Sequence, residues 1–504
     1  MGHLLPAGGV FAFLAAQRRV LFGDELFADL FPSGRGRPSV PADVVATVIV
    51  LQALHGLSDR EAADAVTFDL RWKAAAGLAV DAASFHPTTL TYWRRRLAAS
   101  DRPNRIFEVV RAVVDQTGVL TGKTRRALDS TILDDAVATQ DTVTQLIAAI
   151  RRVGRLVPEA AAVIAHQCHA HDYSDPGKPR IAWDDAAARA SLVDALVRDA
   201  RGLLAALPAA GRDPAEAEAL ALLALIAGQD VEWVPDEEAP SGGVWAIAQR
   251  VAQDRVISVH DPDARHAHKT TSRRQDGFKA HVVVEPDTGL VTACAVTKAA
   301  GEGSGDAAAG QLLLAADTTV AAGQSVQVLG DSAYGTGAML AALHTAGHEA
   351  LVKPWPVNPA VPGGFTVDDF NVDHTAQTVT CPAGVTRPIN RDGQVNFGVA
   401  CRDCPLRSIC TRSRTGRTMR IREHEALQRA HRVDATDPVW VADYRRHRPM
   451  VERTLAWLTR GNRKLRYRGT VKNDAWFHLR AGAVNLRRLL ILGLHRDTGG
   501  WRTA

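Results

Sequence analysis

Apolar residues recur at helical spacing through the first 120 positions. The stretch "PADVVATVIVLQALHGLSDREAADAV" places Pro41 and Asp43 in a first helical turn and then alternates apolar faces with a period near 3.6. Gly56 ends that helix, and Ser58 with Glu61 forms a capping-box pattern for the next. "TTLTYWRRRL" follows Pro87, with Thr88 or Thr89 near its cap. Short helices, tight turns and a last helix bearing Arg94, Arg95 and Arg96 fit two readings: a helix-turn-helix unit that contacts DNA, or a small helical bundle with a basic surface.

"RRALDST", residues 125–131, reads as a short buried strand ending in polar groups. A long helical region, roughly 140–250, contains "DTVTQLIAAIRRV" and the strongly amphipathic "DDAAARASLVDALVRDARGLLAAL". "PDEEAPSGG", residues 235–243, marks a loop. The period then switches. "GFKAHVVVEPDTGLVTACAVTKA" is two β-branched runs joined by a turn, which predicts a hairpin. A helix over 304–316, the strand of "SVQVLGDSAYGTG", a helix over 337–346 and the strand "HEALVK" follow, then the helix around Glu452. That order predicts an α/β fold, a mixed sheet with helices packed on it.

The 504 residues allow two to four domains, and 46% apolar with 23% charged content is ordinary for a globular chain. No run of eighteen apolar residues occurs, so no transmembrane helix is expected. The first residues carry no basic group ahead of their apolar patch and read poorly as a secretory signal, which makes a cytosolic setting the expectation. The net charge of +5 conceals a division. Residues 401–504 hold 24 Lys and Arg against 9 Asp and Glu, a net of +15; the first 400 hold 36 against 46, a net of −10. A basic fifth interleaved with Trp457, Tyr467, Trp476 and Phe477 points to a polyanion held on an ordered face.

"RHRPMVERTLAWLTRGNRKLRYRG" sets eight cations around one acid, Glu452. Asp129 stands at the predicted end of the first strand and Asp331 at the end of "VQVLG", where α/β sheets gather their sites. Three crowded carboxylates repel unless cations lie between them, and hard oxygen ligands favour two Mg2+ or Mn2+ ions. Arg448, Arg460, Arg463 and Lys464 would then hold nucleic-acid phosphates, while Val451, Leu455 and Leu458 dock the helix. The alternatives are plain: an Asp after a strand caps a turn, and Glu452 pairs with Arg448 or Arg453. Asp134, Asp135 and Asp141 compete with Asp129 on spacing. Lys279 either faces DNA or is an ordinary solvated lysine.

Cys381, Cys401, Cys404 and Cys410 fall in one segment, with a Cys-x2-Cys step suited to a tetrahedral thiolate site. Their arrangement is similar to a zinc ribbon; structural Zn2+ and free or redox thiols are both open, and a cytosolic setting disfavours disulfides. "HQCHAHDY", with His166, Cys168, His169 and His171, lacks a second ligand group at ribbon or helical spacing and reads as a polar loop.

"ALDST", "LGDSAYG" and "RHRPMVERTLAWL" in this order resemble the DDE transposases of bacterial insertion sequences. Residues 20–120 are similar to an N-terminal domain common in one large group of them, and "SVHDPDARHAHKTTSRRQDGFKAHVVVEPDTGLVTACAVTKA" to that group's second and third core strands. The resemblance covers about residues 20–490. It implies an RNase H-like core with Asp129, Asp331 and Glu452 as the metal-binding triad. The family's last helix often reads Tyr-x2-Arg-x3-Glu-x6-Lys; Arg448 and Glu452 match, while Arg445 fills the Tyr slot beside Tyr444 and Thr459 fills the Lys slot beside Arg460. The expected layout is a helical DNA-binding domain at 1–120 and a core at 121–355 with a helical insertion near 140–250. A Cys-rich unit follows at 356–420, then the last part of the core at 421–504. The implied reaction is metal-dependent cleavage at transposon ends and attack of the freed 3′-hydroxyl on target DNA. The implied partner is double-stranded DNA, terminal inverted repeats and target alike, bound by a homodimer or larger assembly in the bacterial cytoplasm with no membrane role. A nuclease of the same fold without strand transfer and a catalytically inactive DNA-binding regulator are the rivals.

Overall fold

The computed structural model describes all residues except 1, 2, 4, 33–38, 251, 253 and 269–273. Residues 269–273, inside the stretch matched to the second core strand, thus lie outside the described residues.

Helices α1 (Val10–Leu21), α2 (Ala42–His55), α3 (Asp59–Phe68), α4 (Leu70–Ala76), α5 (Thr88–Ala99) and α6 (Arg105–Thr117) open the chain. The start and stop signals act as read. Gly56 closes α2 in the left-handed region at φ 69°, where a side chain would be strained. The Ser58 amide donates to Glu61 Oε2 at 2.6 Å, and the Glu61 amide donates to Ser58 Oγ at 3.2 Å. α2 is apolar on nearly every side and buried to match.

β1 spans Arg125–Asp134, three residues longer than the expected strand, because its far half pairs with β5. Four helices follow, α7 (Thr142–Leu156), α8 (Ala160–Gln167), α9 (Ala186–Ala206) and α10 (Pro214–Gln229). The expected helical run to 250 ends early, at a hairpin of β2 (Val231–Pro235) and β3 (Gly243–Ile247). Trp233 and Trp245 sit opposite one another with ring centroids 5.2 Å apart, and that cross-strand aromatic pair outweighs helix propensity. This insertion has its own apolar core, built on Leu146, Ile150, Leu196 and Leu223.

The main sheet continues with β4 (Arg265–His268), β5 (Arg274–Glu285), β6 (Leu290–Lys298), helix α11 (Asp306–Ala315), β7 (Gln327–Gly330), helix α12 (Gly337–Thr345) and β8 (Glu349–Val352). β5 pairs antiparallel with β1, β4 and β6; β7 pairs parallel with β1, and β8 parallel with β7. The order β6-β5-β1-β7-β8 is a mixed sheet in an α/β layout.

A Cys-rich unit comes next. Strands β9 (Asn371–Asp373), β10 (Thr378–Thr380) and β11 (Thr386–Pro388) form one small sheet; β12 (Gln394–Asn396) pairs with β13 (Thr418–Arg420) around the short helix α13 (Arg407–Cys410). The chain ends through α14 (Glu425–Asp434), α15 (Pro438–His447), α16 (Pro449–Thr459), α17 (Thr470–Ile491) and a small hairpin. Among the described residues no single helix is long and apolar enough to cross a membrane.

Strand alternation divides the core. Ala127, Val282 and Leu329 pack against Val451, Leu455 and Leu458 of α16 and Phe477 of α17. Leu128, Val283 and Val328 pack on the other face with Leu313 of α11 and Met339 of α12. α17 also donates Leu479, Ala483, Leu486 and Leu489 to the core of the N-terminal helices, so chain start and chain end share one apolar cluster.

Candidate active site

The register of β1 and β7 places the first two acids. Arg125, Arg126 and Ala127 pair in parallel with Gln327, Val328 and Leu329. Two residues further on, Asp129 and Asp331 stand side by side, one strand spacing of about 4.8 Å apart in backbone terms. By alternation both share the face of Ala127 and Leu329, the face that α16 covers. Asp129 is therefore mid-strand, not at the strand end expected from sequence, while β7 ends at Gly330, just before Asp331. Asp331 Oδ1 accepts from the Ala333 amide at 2.9 Å and caps a 3-10 turn. The turn folds Tyr334 back onto Gly330, where a Cβ would come within 2.9 Å of the Tyr334 Cβ. This close approach is a physical reason for glycine in "LGDSAYG".

The α15–α16 segment supplies the third acid. Arg448 has helical dihedrals between the two helices, and its amide donates to the Tyr444 carbonyl at 3.0 Å. Tyr444, Arg448 and Glu452 thus repeat every four residues and lie on one stripe. Arg448 is 5% exposed; its Nη2 lies 3.1 Å from Asp129 Oδ2 and its Nη1 donates to the Leu128 carbonyl at 3.2 Å. Burial raises the Asp129 carboxyl above its ordinary range, Arg448 opposes that shift, and the charge of Asp331 adds to it. Burial also raises the Tyr444 hydroxyl; Arg448 opposes, and the charges of both Asp331 and Glu452 add. Tyr444 therefore lies within electrostatic reach of both acids. Glu452 itself is exposed in the first turn of α16, with Val451 and Leu455 buried beside it. Among the described residues no three Asp, Glu, His or Cys side chains stand close enough together to hold a metal ion.

The expected DNA contacts divide. Arg448 is not a surface cation: it is buried as the counter-charge of Asp129. Arg94 is paired with Asp59 and Gln52 and lies over Tyr467 at 5.7 Å. Arg96 is bonded to the Leu30 carbonyl and the Tyr92 hydroxyl, and Lys279 sits 3.4 Å from Asp306. Arg95, Arg460, Arg463 and Lys464 are exposed. The loop 461–468 runs along the end of β1, where the Asp134 amide donates to the Arg463 carbonyl at 2.9 Å and the Leu465 amide to the Asp134 carbonyl at 2.8 Å. Arg466 Nη2 donates to the Gly56 carbonyl at 2.9 Å, so the basic loop touches the N-terminal helices as well.

Sequence reading named Tyr444 and Thr459 without fixing their roles, and it passed over Arg480 and the Ser130–Asp306 contact. Tyr444, one place from its expected slot, takes the position beside Arg448 because spacing by four keeps a helix stripe, while Arg445 is exposed. Thr459, in the Lys slot, bonds its own helix through Leu455 at 2.9 Å. Arg480, 3% exposed, donates to the carbonyls of Leu458, Trp457 and Arg460 at the end of α16 and to those of Ala53 and Leu54 at the end of α2. It ties the Glu452 helix to the N-terminal domain by satisfying orphan carbonyls at two helix ends. Burial pushes its guanidinium down to about 10. Ser130 Oγ donates to Asp306 Oδ1 at 2.6 Å on the opposite sheet face, a contact that no spacing announces.

Cys381, Cys401, Cys404 and Cys410 line one cavity of about 20 Å3, walled by Phe370 and Phe397. Burial raises the Cys410 thiol; Arg417 opposes and the other three cysteines add. The Arg417 amide donates to Cys401 Sγ at 3.4 Å. By contrast "HQCHAHDY" closes on Asp199, whose carboxylate accepts from the His169 and Ala170 amides and from the Tyr173 hydroxyl at 2.7 Å. Burial pushes the Cys168 thiol up to about 12. This segment is a structural knot, as the polar-loop reading has it.

Two family models match the chain. One, described as Transposase DDE domain, covers residues 380–490 and so contains the Cys-rich unit's cysteines from Cys401 on, Cys381 and Glu452. The other, described as Transposase domain (DUF772), covers residues 13–96. Asp129 and Asp331 lie outside both matches. No curated protein and no solved structure matches the chain. The two matches support a DDE transposase of the insertion-sequence type, an enzyme with DNA as its partner.

Proposed function

We propose that this DDE transposase cuts DNA at the ends of its element and joins the freed 3′-hydroxyl to target DNA, on a core of RNase H type. The observation that carries the reading is the parallel register that sets Asp129 beside Asp331 beneath the Tyr444–Arg448–Glu452 stripe. The strand order, with β5 and β6 antiparallel and β7 and β8 parallel to β1, supports the RNase H-like assignment.

The donor set fits divalent ions. Asp129, Asp331 and Glu452 offer only hard oxygens, and the half-buried Asp129 is paired with the buried cation Arg448. Mg2+ or Mn2+ held there would neutralise charge on the scissile phosphate during in-line displacement. Arg448 opposes the upward shift of the Asp129 carboxyl and is itself tied to β1 through the Leu128 carbonyl. Tyr444, stacked on Trp440 at 5.4 Å and 7°, lies beside Arg448. The exposed Arg460, Arg463 and Lys464, at the far end of α16 and the end of β1, offer phosphate contacts further along the DNA. A homodimer formed on DNA in the bacterial cytoplasm completes the proposal.

The test uses purified protein, Mg2+ or Mn2+, and duplexes carrying the DNA that flanks the reading frame. Metal-dependent cutting, plus joining of pre-cleaved ends, is the expected outcome. Cutting without joining would make the protein a nuclease; binding without any cutting would make it a regulator.

For the Cys-rich unit the proposal is one structural Zn2+ on Cys381, Cys401, Cys404 and Cys410. A void of about 20 Å3 walled by four thiols is near the size of one small ion or water and suits thiolate ligation. Zinc near one equivalent per chain by elemental analysis, lost in a Cys401→Ser/Cys404→Ser variant, supports it. Zinc-free, equally stable protein refutes it.

A further inference from the structure

A second concave surface lies in the helical insertion, away from the three acids. It is a cavity of about 220 Å3 lined by Arg151 and Arg155 of α7, Lys178 and Gly177 of the loop after α8, and His260 and Gln140 of the core. Arg151 and Arg155 are four residues apart and share a helix face. No carboxylate lines the cavity. The acids nearby sit at its rim: Asp141 holds Lys178 at 3.0 Å, Glu218 holds Arg152 at 3.3 Å, and Asp172 feels the charge of Arg151. The lining itself carries three cations, Arg151, Arg155 and Lys178.

One guanidinium nitrogen of a lining residue, Arg151 Nη1, is buried with no hydrogen-bond acceptor. Such groups cost about 1–3 kcal/mol each unless something accepts their hydrogen bonds. His260 is kept neutral first by partial burial and then by the charges of Arg468, Arg155 and Arg152. Arg468 belongs to the basic loop that runs along the end of β1 and past Arg463 and Lys464. The cavity thus lies near the basic loop that follows α16.

We propose that this cavity is a phosphate-binding site of the insertion, where Arg151, Arg155 and Lys178 grip the backbone of the DNA whose cleavage is assigned to the three acids. The inference rests on the transposase reading for its ligand. A phosphodiester adds negative charge to a lining that holds Arg151, Arg155 and Lys178 and no carboxylate. Backbone contact without base contact makes the grip sequence-independent.

The full-length protein and a labelled random-sequence duplex give the test, by titration across a series of salt concentrations. Each lost phosphate contact lowers the slope of log K against log salt by about 0.9, so Arg151→Ala/Arg155→Ala is expected to lower it by about 1.8 with melting temperature unchanged. Arg463→Ala/Lys464→Ala serves as the comparison. Should the parent bind DNA and only the comparison variant lose slope, the insertion site is refuted while the transposase reading stands. Should the parent show no DNA binding, the transposase reading itself fails. Tight binding of free nucleoside triphosphate at this cavity, abolished by Arg151→Ala/Arg155→Ala without change in the DNA slope, also overturns the proposal.

Discussion

Asp129 and Ser130 are neighbours on β1, yet their side chains leave on opposite faces of the sheet and meet opposite electrostatics. On the α16 face, Asp129 is paired with the buried Arg448 and feels the charge of Asp331, while Tyr444 feels those of Asp331 and Glu452. On the α11 face, Ser130 donates to Asp306, and Asp306 faces Lys279 at 3.4 Å and His281 at 3.7 Å. Around Asp129 the second acid, Asp331, adds like charge; around Asp306 a lysine lies in reach. Like charge beside a carboxylate suits the proposed cation site, whereas a network with its own lysine suits a structural role. Exposure does not distinguish them, since the side chains of Asp129 and Asp306 are 13% and 19% exposed. The company each acid keeps does.

The strongest way to break this contrast is to exchange readouts. Asp129→Ala and Asp331→Ala are expected to lose at least about a hundredfold in DNA cutting, beyond what losing a group that merely orients a metal ligand costs, with little change in melting temperature. Asp306→Asn should do the reverse, lowering stability while retaining cutting. A variant Asp306→Asn that folds normally and is dead would move the catalytic boundary to the other face.

Arg448→Met should cost about 3–5 kcal/mol by leaving the buried Asp129 charge unpaired, measured by denaturant unfolding. If Mn2+ restores much of that loss, the like charge of the acids is confirmed as the source. A loss of under about 1 kcal/mol would mean that Asp129 has other support.

A pH series sharpens the Asp306 side. His281 is 1% exposed, and burial pushes its imidazole from the ordinary 6.5 down to about 4; Asp306 opposes the shift and Lys279 assists it. Between these values the unfolded chain binds a proton that the folded chain does not. Its contribution is therefore complete above about pH 6.5 and is lost as pH falls toward 4, by about 3 kcal/mol at most. His281→Gln should flatten that part of the stability profile, and an unchanged slope would show that other groups carry it.

The smallest expected effect is Ser130→Ala, about 1.5 kcal/mol from one lost hydrogen bond to a charged group, with cutting unchanged.

Local chemistry made many elements legible. The Gly56 stop, the Ser58–Glu61 capping box, the strand periodicity on either side of "EPDTG" and the turn in "PDEEAPSGG" all act within a few residues, so they act alike in any tertiary setting. Asp129, Asp331 and Glu452 were also legible as candidates, because an acid after a strand and a lone acid among cations are visible in one dimension. Partnership was not. That Arg448 turns inward to Asp129 rather than outward, that Tyr444 outranks Arg445, that Arg480 ties α2 to α16 and that α17 completes the N-terminal core all follow from contacts between segments tens to hundreds of residues apart. Short-range sterics and hydrogen bonding settle where elements begin and end. The choice of partner for each charge depends on which faces are brought together and how much water is expelled between them, and only the folded chain decides that.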